Sequence, residues 1–247
     1  MSMNGSGRVG RVLFGLAMVL FGLLCLIFAS GRAWPVIGPP WTEGSTATAL
    51  LVGGGLIAAG VCIVIGWQVR LAASLLGVGI LLRALLGAPL LVRQIRNPNG
   101  WTIMFELVAM GAGALALAGA AGRPDGFQRV WVRVGRYLFA ISLVVFAVQH
   151  FMYGNFIAAL ITVWIPWHFF WAEFVGVAFA GAAASLVTGI MTRVVMTLLG
   201  LMFLLWVVVL HAPRVMAALH NGNEWTSGVV ALAFGGASLI LAGVLGD

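Results

Sequence analysis

The sequence predicts an all-α integral membrane protein: eight transmembrane helices built as a tandem parallel duplication of a four-helix bundle. Composition is the first observation behind this. The 247 residues are 62% hydrophobic and 8% charged, whereas a soluble domain runs at about 25% charged and 45–50% apolar. The second is length. Eight apolar runs, at about 9–30, 47–66, 71–95, 101–121, 133–153, 169–189, 193–217 and 226–246, each reach the roughly 20 residues that a crossing needs. None alternates with the period of two that marks a barrel strand. The third is self-similarity. RVGRVLFGLAMVLFGLL (8–24) lies over RVGRYLFAISLVVFAVQ (133–149) with eight identities in seventeen positions, and NPNGWT (97–102) returns as NGNEWT (221–226). Arg70, Leu75, Leu76 and Gly77 lie over Arg193, Leu198, Leu199 and Gly200, and Ala88-Pro89 over Ala212-Pro213. Four-helix repeats are therefore expected at 1–122 and 133–247, joined by a cytoplasmic linker at 123–132.

The first span has Arg ahead and Ala-Ser-Gly behind, as a secretory signal does. It nevertheless matches 134–155 of the second half, so it is expected to belong to the mature fold. The following segment, GRAWPVIGPPWTEGSTA (31–47), holds three prolines and is expected to be irregular. Spans two and three join through GWQVR (66–70), and spans six and seven through TGIMTR (188–193). In both, Gly ends one helix and Arg anchors the next. Pro89 and Pro213 fall inside the third and seventh spans, where each removes a helical hydrogen bond and invites a kink. NPNGWT and NGNEWT supply the Asn, Gly and Pro of a turn before the fourth and eighth spans. After span five, 153–174 is apolar and aromatic; it is expected in the membrane interface, with Trp164, Trp167 and Trp171 at headgroup depth. Runs such as GGGLIAAG (53–60) and GAGALALAG (111–119) indicate close helix packing.

Four spans per half is an even number, so both halves enter the membrane in the same orientation. All 13 basic residues are Arg. Eight of them fall on the side of the two termini and four on the other, with Arg83 inside a span. That bias puts both termini in the cytoplasm of a bacterial inner membrane. The net charge of +7 then reflects topology and attraction to anionic lipid. Nucleic-acid binding is the weaker reading and is not expected, since no large soluble surface exists to carry a basic patch.

Ionisable groups at membrane depth are costly and point to function. All four histidines, His150, His168, His211 and His220, lie in the second half. With Glu173, Gln149, Tyr153 and Arg214 they form a layer near the outer leaflet. Cys25 and Gly87 stand where the first half would carry His150 and His211. The candidate ligand-binding set is therefore His150, Glu173, His211, Tyr153, Gln149 and Arg214. Arg83 and Glu106 are expected to form a structural ion pair. Three readings of the histidine layer compete. Each His can simply bond a neighbouring carbonyl or sit at the headgroups. His and Glu can instead hold the oxygens of a quinone-like molecule and exchange protons with it. Haem is the weaker alternative, and the absence of an HxxxH spacing argues against a metal. Cys25 and Cys62 form no CxxC, so thiol redox chemistry has no support.

HFMYGNF (150–156), WAEF…TGIMTR (171–193) and GLMFLLWVVVLHAPR (200–214) resemble the DoxX-like family of bacterial membrane proteins. The family is typically a four-helix unit, so the chain looks like two fused copies, the first lacking the His and Glu of the pattern. The resemblance implies membrane redox chemistry, because some members are subunits of thiosulfate:quinone oxidoreductases, and it implies a site at His150, Glu173 and His211. Sulfur chemistry would need a catalytic subunit elsewhere. The leading expectation is a quinone-interacting or redox-complex subunit. The alternatives are a non-catalytic structural subunit and a transporter of a small lipophilic molecule. Acyl, peptide or glycosyl transfer is disfavoured by the lack of a nucleophile–base pair.

Overall fold

The computed structural model describes residues 4–28, 46–93, 96–121 and 126–245. Their helices run in the order α1 (Gly5–Ile27), α2 (Thr46–Ile65), α3 (Val69–Arg93), α4 (Pro98–Ala120), α5 (Gly126–Met152), α6 (Gly154–Leu160), α7 (His168–Thr188), α8 (Thr192–Trp206), α9 (Ala212–Ala217) and α10 (Gly222–Val244). A π-helical turn, Val207–His211, joins α8 to α9 into one span. Eight helices are thus long and apolar enough to cross a membrane. No strand occurs among the described residues. The proline-rich segment after α1 lies almost wholly outside them. α5 begins at Gly126, seven residues ahead of the expected start at 133. Its extra turns are held by packing: a Cβ on Gly119 would stand 2.7 Å from Val132 Cγ2 and 2.9 Å from the Gln128 carbonyl oxygen.

Packing pairs run in the same order through both halves. α1 packs on α2 and α3 on α4; α5 packs on α7 and α8 on α10. The halves join through α4 on α5, α10 on α1 and α4 on α10. α4 and α10 are the central helices, 72% and 83% buried along their apolar windows, against 22–28% for α2, α3 and the α8–α9 span. The outer helices turn large apolar side chains such as Leu51, Leu85 and Leu201 outward. In a bilayer, lipid covers such a face.

Small residues permit the close approaches. A Cβ on Gly10 would stand 2.6 Å from the Gly236 carbonyl oxygen, and one on Gly135 2.6 Å from that of Ala112. Of the GGGLIAAG run, Gly53 and Gly60 meet α1, while Gly54 and Gly55 have open space. Two arginines, one in each half, serve a helix end. Arg11 donates to the carbonyls of Ile63 and Val64, and Arg136 to that of Leu186. Each approaches a left-handed glycine, Gly66 (φ +82°) or Gly189 (φ +83°), that turns the chain into the next helix. The phrase shared by 97–102 and 221–226 has a job for its common residues. Asn97 and Asn221 cap their helices by accepting from the N–H of Asn99 and Asn223, each at 3.0 Å. Thr102 and Thr226 donate back to the carbonyls of Pro98 and Gly222.

Candidate functional site

The floor of the site is made by four phenylalanines, one each from α5, α7, α8 and α10. Phe146–Phe179 (6.0 Å between centroids), Phe179–Phe203 (5.6 Å), Phe203–Phe234 (5.4 Å) and Phe234–Phe146 (5.7 Å) close a ring. At the aligned first-half positions stand Phe21, Leu56, Ile80 and Met110, all buried. Above the floor is a cavity of about 870 Å³. Exposed Asn97, Asn99 and Phe156 are at its rim, so it opens toward the end of the bundle that carries the Asn caps and α6.

The walls are polar at selected points. Gln149, His150 and Tyr153 come from the end of α5 and the turn after it, and His211 comes from the π turn. Thr102 and Glu106 come from α4, one helical turn apart. Gln149 is already committed: its Nε2 donates to the Pro98 carbonyl at 3.0 Å, and its Oε1 accepts from Thr102 at 3.3 Å. This pair ties the second half to the capped turn of the first. His150 stands edge-on to Phe179, 5.1 Å between ring centroids, and its Nδ1 donates to the Phe146 carbonyl at 2.8 Å.

Two lining side chains hold buried polar atoms without a partner: Nδ1 of His211 and the indole Nε1 of Trp171. Buried polar atoms are almost always hydrogen-bonded, so these two stand out among the lining side chains, although each nitrogen is covered in this structure. Trp171 packs edge-on against Trp206 at 5.7 Å. It therefore faces the bundle rather than the headgroups, unlike exposed Trp164 and Trp167.

His211 reaches the cavity because the helix widens beneath it. The Ala212 N–H bonds to the Val207 carbonyl five residues back, the pattern of a π turn, which recurs at functional sites. Three consecutive β-branched residues, Val207, Val208 and Val209, precede Pro213 here. Such residues crowd a regular helical turn, and proline cannot close one. The aligned first-half stretch, RALLG (83–87), has no β-branched residue, and Pro89 lies inside an uninterrupted α-helix.

Not every expected group is in the cavity. Glu173 does not line it: α7 presents Trp171, Ala172, Val175 and Phe179, and at about 100° per residue Glu173 falls on roughly the opposite face. Its Oε1 lies instead against Gly154, 2.8 Å from where a Cβ would stand. Arg214 is engaged at the rim. Its Nε and Nη2 donate to the two carboxylate oxygens of Glu224 at 2.7 and 2.9 Å, and Nη1 donates to the Leu160 carbonyl at 2.6 Å. His168 opens α7 and His220 is exposed; neither lines the cavity.

The expected ion pair between Arg83 and Glu106 is not formed. Gly77 meets Leu115 and Leu81 meets Gly111, a register that sets residue 86 opposite Glu106. Arg83 is then three residues deeper, about 4.5 Å along the axis. Its Nη1 folds toward Gly87, while Glu106 faces the cavity.

The sequence reading missed Glu106 and Trp171 as wall residues. The signal for the first was the spacing of Pro98, Thr102 and Glu106, one face of one helix at intervals of four. Among the described residues, no group of three or more His, Cys, Asp or Glu is gathered as a metal would require. Both cysteines are free thiols. A scan against protein-family models and searches of curated proteins and of solved structures found no match to the chain.

Proposed function

We propose that the protein binds a quinone-like aromatic head group in the second-half cavity, as a DoxX-like membrane subunit of the bacterial inner membrane. One observation carries this reading: an aromatic-floored cavity of about 870 Å³ whose walls hold the partnerless Nδ1 of His211 and Nε1 of Trp171. The volume is in the range of small-molecule sites, which are mostly apolar with a few placed polar groups. The phenylalanine floor suits the faces of a flat ring. Trp171, His211, His150 and Glu106 stand where ring oxygens would need partners. Glu106, rather than Glu173, is the carboxyl placed to exchange a proton with such a ligand. Matched caps, turns and arginine clamps support reading the chain as two fused four-helix units, of which the second carries the site. Cytoplasmic termini and association with a redox complex belong to the same proposal.

The test is titration of the full-length protein in lipid nanodiscs with decylubiquinone. Saturable binding near one per chain is expected, weakened at least tenfold, roughly 1.4 kcal/mol, by His211→Ala. Uptake indistinguishable from that of empty nanodiscs would refute the reading.

A further inference from the structure

The hydrogen-bonding polarity of the cavity wall specifies more than an aromatic ring. A carbonyl oxygen has no proton to give, so the 2.8 Å contact between His150 Nδ1 and the Phe146 carbonyl places a proton on Nδ1. Among the described residues no carboxylate lies within ion-pair distance of His150, and an unpaired imidazolium at membrane depth is costly. The ring is therefore neutral, and Nε2 carries a lone pair and no hydrogen. Nε2 has no protein partner among the described residues. His150 thus offers the cavity a fixed acceptor, locked by the backbone of its own helix. Trp171 lines the same cavity, and its indole N–H, which can only donate, is covered and without a partner.

A ring carbonyl can satisfy the donor of Trp171 but meets the lone pair of His150 with lone pairs of its own. A ring hydroxyl donates to the one kind of group and accepts from the other. We infer that the cavity selects the hydroxyl-bearing, reduced form of its aromatic ligand, a hydroquinone or related phenol, with His150 as the specificity-determining residue. This rests on the reading of the cavity as an aromatic head-group site. Sites built to bond a hydroxyl reject analogues that lack one, because a buried group is left unpaired. One such bond is worth about a factor of ten in affinity. For a two-electron couple, a tenfold preference for the reduced form raises the bound ligand's midpoint potential by about 30 mV.

The experiment is calorimetric titration of the full-length protein with duroquinone, with durohydroquinone under argon, and with the dimethyl ether of durohydroquinone. The diol is expected to bind roughly tenfold more tightly than the quinone. The ether, which keeps the ring and the oxygens but cannot donate, is expected to lose that advantage. In His150→Phe the preference for the diol is expected to vanish. Equal affinity for diol and quinone in the wild-type protein overturns the inference and leaves the head-group reading standing, as does an ether that binds as well as the diol. If none of the three probes binds, the head-group reading fails and takes the inference with it.

Discussion

At the outer rim, Arg214 holds both oxygens of Glu224 and the last carbonyl of α6 at once. It thereby fixes α9, α10 and α6 relative to one another. Guanidinium and carboxylate match as two planar forks, which makes the pair directional as well as charged. Arg214→Met removes three donors and strands the carboxylate, so it is expected to cost about 2 kcal/mol. The double variant Arg214→Met/Glu224→Leu is expected to cost less than the two single changes together. Thermal unfolding in detergent measures this, and strict additivity would contradict the pairing. Arg214, His150, His211, Gln149 and Tyr153 were all legible as candidates, because polar groups at membrane depth are conspicuous in an apolar chain. What each of them does was less legible. Glu106 was read as the partner of Arg83, and its place in the cavity wall was missed. Trp171 was taken for an interface anchor because it shares the apolar, aromatic segment 153–174 with Trp164 and Trp167, and its own turn inward depends on where α7 begins.

At the scale of elements, seven of the eight spans were legible within about four residues from apolar run length, while α5 starts seven residues early and the short α6 was not foreseen. The π turn was not. It depends on a contest between β-branched crowding, Pro213 and packing against α10 that no single residue announces. Removing one residue from it is a direct probe. Deletion of Val208 is expected to close the Ala212-to-Val207 bond as a regular i to i−4 helical bond, leaving Ala212–Ala217 in place while His211 shifts on the tightened turn. Arg214 then stays on Glu224, so the melting temperature is expected to fall far less than in Arg214→Met; an equal loss would contradict this. Glycine contacts set the other limit. Gly10 faces the backbone of α10 with no room for a side chain. Gly10→Leu is expected to cost about 3 kcal/mol, whereas Gly54→Leu, facing open space, is expected to be nearly neutral. Equal effects of the two in the same unfolding assay would contradict the packing.

For the whole molecule, the two halves share packing order, turns and caps, while the histidines and the phenylalanine floor occur in the second half and α4 of the first adds Thr102 and Glu106 to the wall. The first half keeps aliphatic packing at the positions aligned with the floor, and the cavity lies over the phenylalanines of the second. The parallel arrangement predicts that both Asn-capped turns face the same side. In a chain with Cys25 and Cys62 replaced by Ala, Asn99→Cys and Asn223→Cys are expected to react with an impermeant maleimide added outside intact cells. Ile190→Cys, at the opposite end, is expected to react after lysis. Labelling of one Asn turn without the other would contradict the arrangement. The most direct measurement of the central claim is mass spectrometry of the solvent extract from purified protein, with an absorbance spectrum of the same sample. The account predicts a quinone or hydroquinone near one per chain, depleted in His211→Ala. An extract holding phospholipid alone, or a haem band in the spectrum, would contradict it.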